Sequence, residues 1–376
     1  MAGIYIHVPF CKTRCIYCDF YSTTRSERKG HYIEALCKEL EMRYTYLKGK
    51  PIETLYFGGG TPSQLDEKDF RKVFDTVRRI YGMENCHEIT LEANPDDLCP
   101  EYLQMLSELP FNRISMGIQT FDDTTLKLLK RRHNAAQAIR AVELCRAHGF
   151  RNISIDLIYG LPGETTERWE KDLQQAIALD VEHISAYHLI YEEGTPIYKM
   201  LQKHQVEEVD EDSSVRFFTL LIDRLREAGY EHYEISNFCK PGMYSRHNTS
   251  YWQGVSYLGC GPSAHSFDGQ TREWNCSSIE KYMSGIESGQ RDFEREERNL
   301  TTRYNEFIIT TIRTVWGTPI EKLKQEFGNE LWEYCRKMSA PYLKNGKLEV
   351  HEGALRLTRE GIFISDSIMS DLLWVN

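Results

Sequence analysis

The stretch Gly3-Ile4-Tyr5-Ile6-His7-Val8-Pro9-Phe10-Cys11-Lys12-Thr13-Arg14-Cys15-Ile16-Tyr17-Cys18 runs from a branched and aromatic segment directly into a loop that carries three thiols. Ile4–Val8 has the composition of a buried strand. Similar runs recur at Thr54–Phe57, Glu88–Ala93, Arg113–Gly117, Asn152–Ile158 and His183–Leu189. Between them lie amphipathic stretches with helical spacing, at Glu27–Tyr46, Glu67–Ile80, Pro100–Ser107, Ala135–Ala147 and Glu167–Leu179. Strand and helix alternate, which predicts an α/β fold with a parallel sheet and right-handed crossovers, either open or curled into a barrel. Both arrangements place ligands at the carboxyl ends of the strands. The unusual residues do follow the strands: the cysteines after the first, Gly58-Gly59-Gly60-Thr61-Pro62 after the second, Glu92 at the end of the third, Gln119 after the fourth and Asp156 on the fifth.

Beyond about residue 210 the alternation fades. Ser213–Ala228 reads as a long helix that leads into a stretch rich in tyrosine, glycine and histidine. From Leu300 a compact helical run, Tyr304–Val315, Pro319–Phe327 and Leu331–Leu343, leads to a short hairpin at Lys347–Glu349 and Ala354–Leu357 and to a last helix over Arg359–Leu373. The expected division is 1–232 for the core, 233–299 for a connecting region and 300–376 for a small winged-helix-like domain. The 376 residues suffice for two or three domains, and a hydrophobic fraction of 41% with 27% charged residues fits a folded chain. The net charge of −10 argues against a nucleic-acid partner. No apolar run is long enough to span a membrane, and the N-terminus does not read as a signal or transit peptide. Eleven cysteines, an odd number with three clustered, point to a reducing compartment and a cytoplasmic location. Cys37, Cys145 and Cys335 sit inside helical patterns as small apolar fillers.

Cys11-x-x-x-Cys15-x-x-Cys18 can serve one compact metal centre. Structural zinc wants four ligands, usually as two separated pairs, and His7 is the only fourth candidate nearby. A 4Fe-4S cluster held by three thiolates keeps one iron open to a non-protein ligand. The glycine run allows close backbone approach to a ligand. Glu92, Gln119 and Asp156 offer partners for a ribose and an ammonium group, and Arg131 offers one for a carboxylate.

The cysteine loop after the first strand and the glycine turn after the second resemble the radical S-adenosylmethionine (radical SAM) superfamily. There the open iron chelates S-adenosylmethionine, whose reductive cleavage yields a 5′-deoxyadenosyl radical. The resemblance implies a partial (β/α)6 TIM-like barrel, with Cys11, Cys15 and Cys18 as ligands of a 4Fe-4S cluster. It also implies S-adenosyl-L-methionine contacts at Tyr5, Tyr17, Gly60, Thr61, Pro62, Glu92, Gln119, Arg131, Asp156 and Ile190. The strings His7–Cys11, Tyr56–Ser63, Ser115–Phe121 and Asp156–Gly163 are similar to the branch of oxygen-independent coproporphyrinogen III oxidase, an enzyme of oxidative decarboxylation in porphyrin metabolism. Two departures imply that oxidase activity is absent. Phe20 stands where that enzyme has a fourth cysteine, and only ten residues precede Cys11. Both agree with the sister family HemW, the heme chaperones, whose motif appears as His247-Asn248-Thr249-Ser250-Tyr251-Trp252. That resemblance implies heme as ligand, respiratory apoproteins as acceptors, peripheral membrane contact and room for a homodimer. It leaves open whether S-adenosylmethionine is cleaved or only held. Imidazole is a standard axial ligand of heme iron, and Tyr251 and Trp252 offer flat apolar faces. His247 is therefore the first candidate for heme, with His265 ranked below it.

Overall fold

The computed structural model describes residues 1–375. Six strands, β1 (Ala2–Val8), β2 (Ile52–Gly59), β3 (Glu88–Ala93), β4 (Arg113–Gln119), β5 (Ile153–Tyr159) and β6 (His183–His188), pair in parallel and in chain order. Helices α1 (Lys29–Met42), α2 (Glu67–Tyr81), α3 (Pro100–Ser107), α4 (Asp123–Leu128), α5 (Ala135–Ala147) and α6 (Thr166–Ala178) lie in the crossovers.

Alternation along the strands sorts the side chains into two layers. One layer, including Ile4, Ile6, Leu55, Phe57, Ile89, Leu91, Ile114, Met116, Ile155 and Ile184, is buried in the main hydrophobic core with the helices. Phe57 meets Phe70, Phe74 and Phe111 edge-on with ring centroids 5.4–5.6 Å apart. Phe70 and Phe74 come from α2, which starts where it does because Asp66 and Asp69 form a reciprocal capping box. The other layer is polar or aromatic: Tyr5 and His7, Tyr56, Thr90 and Glu92, Arg113 and Ser115, Ser154 and Asp156, Ser185 and Tyr187. It faces the inside of the curved sheet.

After α7 (Pro196–Gln202) and α8 (Glu211–Glu227), the stretch expected to be a connection is rich in strands. β7 (Glu231–Glu234) and β8 (Asn237–Cys239) extend the β6 edge as an antiparallel pair. After α9 (Arg246–Trp252), β9 (Tyr257–Cys260) joins the other edge parallel to β1, with Tyr5 opposite Gly259. β10 (His265–Phe267), β11 (Thr271–Asn275) and, after α10 (Ile279–Glu287), β12 (Phe293–Glu297) continue as an antiparallel meander, completing a 12-stranded sheet. β7 crosses the boundary expected at 232/233, and residues on both sides of it, from Ala2 to Ile286, share one core. The added strands are pinned to α1 by the buried Glu39, which accepts from Arg43, Gly261 N (2.8 Å), Asn275 Nδ2 (2.8 Å) and Tyr282 OH (2.7 Å).

From Leu300 the chain builds a second core. α11 (Leu300–Ile312) and α12 (Ile320–Lys344), which breaks at Gly328, pack with a sheet of β13 (Thr318–Pro319), β14 (Leu348–His351) and β15 (Ala354–Leu357). Gly328 takes φ +82°, a left-handed conformation that suits glycine. A bridge between Glu234 and Thr314 and an ion pair between Arg313 and Glu234 fasten this domain to the barrel side.

Candidate functional site

Every residue singled out in the sequence as a ligand of the 4Fe-4S cluster or a contact of S-adenosylmethionine lines one cavity of about 560 Å³ at the carboxyl ends of the parallel strands, and so does His247, whereas His265 and Trp252 line a second cleft. Tyr5 comes from β1, Gly60, Thr61 and Pro62 follow β2, Glu92 ends β3, Gln119 ends β4, Asp156 lies on β5 and Ile190 follows β6. Ile190 is exposed at the mouth.

The three cysteines are free and half-buried in the loop after β1. Cys11 Sγ accepts from Thr61 Oγ1 (3.4 Å) and Cys15 Sγ from Arg131 Nη1 (3.4 Å). Burial pushes the Cys11 thiol up and the Cys18 thiol up to about 11, so a metal centre must displace their protons. Among the described residues no three His, Cys, Asp or Glu side chains are gathered as for a single ion. Thiolates around one zinc lie within about 4 Å of each other. Three free thiols in one loop are the donor set that a 4Fe-4S cluster with one open iron takes, so the residues present fit that group.

Arg131 is the hinge of the site. Beyond Cys15 it donates to Asn94 Oδ1 (2.6 Å) and the Gly117 carbonyl (2.5 Å), while its buried Nε has no partner. Tyr17 stands beside it, its hydroxyl pKa raised by burial. Glu92 is held by Tyr56 OH (2.8 Å) and Gly59 N (3.1 Å). Burial pushes Glu92 up to about 7, against those hydrogen bonds, and Asp156 up to about 6, against the nearby Arg113. Both carboxyl groups are thereby poised for a cationic or hydroxyl-rich ligand. Gln119 sits at φ +72° where β4 slips register against β5, which turns its side chain into the cavity.

The glycine turn serves packing as well as ligand approach. Gly59 adopts φ +105°, and a Cβ there would stand 2.6 Å from the His7 ring. A Cβ on Gly60 would stand 2.8 Å from the backbone of Val8 and Pro9. The end of β2 can lie against the end of β1 only without side chains.

His247 lies at the start of α9, whose first amides donate to the buried Glu88, with Arg246 N and His247 N each 2.9 Å away. It is 1% exposed. Its Nδ1 shares a hydrogen bond with Thr54 Oγ1 (2.7 Å) and its Nε2 one with Tyr251 OH (2.7 Å), and its ring stacks on Tyr56 at 5.0 Å. Burial and the nearby Arg113 hold its pKa down to about 3. Both nitrogens are thus engaged, one with Thr54 and one with Tyr251. The motif alone gave His247 as the first candidate for a heme role, direct or indirect, and does not reveal that Thr54 takes the second nitrogen.

Several contributors escaped the sequence reading. Asn94 bridges Arg131 and Thr61. Tyr56 fixes Glu92. Arg113 is fully buried, with Nε and Nη1 unpartnered, beneath Glu92 and Asp156. The usable signal was the polar residue at every second position of the strands, as in Thr90-x-Glu92 and Arg113-x-Ser115.

Against this geometry, the sequence profile of the radical SAM superfamily matches residues 5–176, and that of the HemN C-terminal domain matches residues 299–364. The chain is 34% identical to the heme chaperone HemW of Bacillus subtilis (strain 168), over 99% of both chains. It is 32% identical to the heme chaperone HemW of Mycobacterium tuberculosis (strain ATCC 25618 / H37Rv), over 99% of this chain and 94% of that one. It is 31% identical to the mitochondrial radical S-adenosyl methionine domain-containing protein 1 of Mus musculus, over 99% and 87%. In fold it is similar to the coproporphyrinogen III oxidase HemN of Escherichia coli, with a TM-score of 0.86 at 21% identity over 99% of this chain and 90% of that one.

Proposed function

This chain belongs to the radical SAM superfamily and, within it, to the HemW family, and from that premise we propose that it is a heme-binding chaperone that passes heme to acceptor proteins. Cys11, Cys15 and Cys18 would hold the 4Fe-4S cluster. Tyr5, Tyr17, Gly60, Thr61, Pro62, Glu92, Gln119, Arg131, Asp156 and Ile190 would hold S-adenosylmethionine, and His247 acts through Tyr251. When bound and reduced by an external donor, the cluster would supply an open iron for the amino acid end of S-adenosylmethionine and an electron for reductive cleavage of its sulfonium. The chain's own part is to orient and to exclude water. Arg131 ties the cysteine loop to Asn94 and to β4. Glu92, kept near neutrality by burial, can give up its proton when an ammonium group approaches.

The observation that carries the heme reading is the place of the His-Asn-x-x-Tyr-Trp helix. Tyr251 forms part of the cofactor cavity and also part of a second cleft beside it, so one side chain touches both compartments. The same reading includes respiratory apoproteins as acceptors, a cytoplasmic location with peripheral membrane contact during delivery, and a homodimer. It also assigns the radical SAM core to 1–232, the connecting region with the heme motif to 233–299 and a C-terminal helical domain to 300–376. Among the described residues no helix is long and apolar enough to cross a membrane.

The test is anaerobic reconstitution followed by heme titration, heme transfer to a respiratory apoprotein and assay of 5′-deoxyadenosine. Stoichiometric heme uptake and transfer are expected. The intact cofactor cavity also favours a second reading, an enzyme resembling the coproporphyrinogen oxidase. Conversion of coproporphyrinogen to protoporphyrinogen in the presence of S-adenosylmethionine and a reductant would replace the chaperone reading with it.

A further inference from the structure

The second cleft, about 1030 Å³, lies between the β9–β11 face of the sheet and the C-terminal domain, and it meets the cofactor cavity at Tyr5, Asp19, Phe20 and Tyr251. Strand register builds its inner wall. Tyr257 is opposite Phe267, Phe267 opposite Arg272 and His265 opposite Trp274, so these side chains share one face of the sheet. Phe307 and Arg303 from α11 and Phe327 from α12 form the outer wall.

Three donors in this wall are buried without a partner: Trp252 Nε1, Arg272 Nε and Arg298 Nε. Buried donors are normally satisfied, so three together in one cleft point to an acceptor that completes them. The charges agree. Arg272, Arg298 and Arg303 face one carboxylate, Glu306, which pairs with Arg272 at 3.2 Å and Arg298 at 2.6 Å. Lys322, farther along, is paired with Glu326 at 3.8 Å, and Asp19 lies at the junction with the cofactor cavity. The arginine group thus retains an excess of two positive charges, which matches a dicarboxylate.

The cleft also holds an imidazole unlike the other two near it. His247 has both nitrogens engaged, and so does His7, with Tyr5 OH at 3.2 Å and the Tyr21 carbonyl at 3.0 Å. His265 is exposed to the cleft, stacks on Trp274 at 5.7 Å, and has no hydrogen-bond partner at either nitrogen among the described residues. Burial and the nearby Arg272 lower its pKa, which favours the neutral form that a metal needs. Arg272 stands opposite Phe267, two residues along β10 from His265, about 7 Å by strand rise. That spacing is comparable to the reach from the iron of a porphyrin to its carboxylate edge.

We propose that this cleft is the heme-carrying site, with His265 as axial ligand of the iron and Arg272, Arg298 and Arg303 receiving the two propionates. The proposal rests on the chaperone reading and names the site that reading leaves unassigned. It also places heme against Tyr251 and Phe20, next to the S-adenosylmethionine cavity.

The test uses the full chain, reconstituted anaerobically and titrated with ferric heme while the absorption and electron paramagnetic resonance of the iron are recorded. Wild type should give an imidazole-ligated spectrum. His265→Ala, and His265→Phe, which preserves a ring against Trp274, should lose that spectrum and bind about tenfold more weakly or worse. Arg298→Gln should weaken heme by about tenfold yet leave the affinity for heme dimethyl ester, which lacks the carboxylates, at the wild-type value. If wild type binds heme and both His265 variants keep its spectrum and affinity, the site is wrong and the chaperone reading stands. If wild type binds no heme at all, both fall.

Discussion

Replacing His247 by alanine tests whether the motif histidine is structural. The ring is buried, stacked on Tyr56, and bonded at both nitrogens. Truncating a buried aromatic side chain to alanine costs about 3–5 kcal/mol. Leaving Thr54 Oγ1 and Tyr251 OH without their partner keeps the cost in the upper part of that range. Thr54→Val and Tyr251→Phe remove one bond each and should cost about 1–2 kcal/mol. Each should couple to His247→Ala less than additively, since the bond they break is already gone.

The pH dependence supplies an independent mark. An unfolded chain protonates this histidine near its ordinary value of 6.5, whereas the folded chain refuses the proton down to about 3. The unfolded state therefore binds more protons in that interval, and the group withdraws stability as pH falls below 6.5, by about 1.4 kcal/mol per unit. His247→Ala lacks this loss. The stability gap between wild type and variant should therefore shrink by about 2 kcal/mol between pH 7 and pH 5. Urea unfolding of the apo chain, followed by circular dichroism at each pH, measures the gap. Heme added to the folded variant should still give the imidazole-ligated spectrum. A pH-independent gap, a gap below about 1 kcal/mol at pH 7, or loss of that spectrum at unchanged stability would refute the structural role.

Glu39→Ala removes a buried carboxylate that receives four donors and should cost about 3–5 kcal/mol, with hydrogen exchange accelerated first in β9–β12. Glu92, whose folded-state pKa is raised to about 7, gives stability that is full below its ordinary value of 4.5 and is lost as pH rises through 7. Apo Glu92→Gln should therefore gain about 2 kcal/mol on wild type between pH 5 and pH 8 by urea unfolding, and no gain would discount the burial of that carboxyl. Arg131→Lys breaks the fork that joins Cys15, Asn94 and Gly117. Iron and sulfide per chain after reconstitution should fall, and S-adenosylmethionine should bind about tenfold more weakly.

The parallel core was legible because each strand is a run of branched residues and each helix carries its own punctuation. Glu88–Ala93, Pro100–Ser107 and Ala135–Ala147 lie where their periodicity and caps place them. The meander of 257–297 was not legible, because its strands are only three to five residues long and β11 and β12 are largely polar. β12 reads Phe-Glu-Arg-Glu-Glu and is exposed along its whole length, so no hydrophobic alternation marks it. What holds these strands is the Glu39 and Glu273 ion-pair network, whose partners lie up to 243 residues apart. Pairings of that range leave no local pattern. The expected cofactor residues share one cavity because most of them lie on the parallel strands or directly after them, which topology converts into proximity, whereas Arg131 reaches it from the loop after α4.

The same contrast bears on the two histidines. His247 stands in a memorable string, yet one of its nitrogens is taken by Thr54, on the second strand, 193 residues away. His265, ranked second from the sequence, stands in a short hairpin outside the motif, with neither nitrogen hydrogen-bonded among the described residues. A motif marks residues that must be kept together, and a buried, doubly bonded imidazole satisfies that requirement as fully as a metal ligand does. Here the two demands separate in space. The string fixes Tyr251 between the cofactor cavity and the cleft, and the arginines with unpartnered Nε atoms and the His265 imidazole lie on the cleft side of it. Substitutions on the α9 side should therefore act mainly on stability, and those on the β10–β11 face mainly on heme, although both border the same tyrosine.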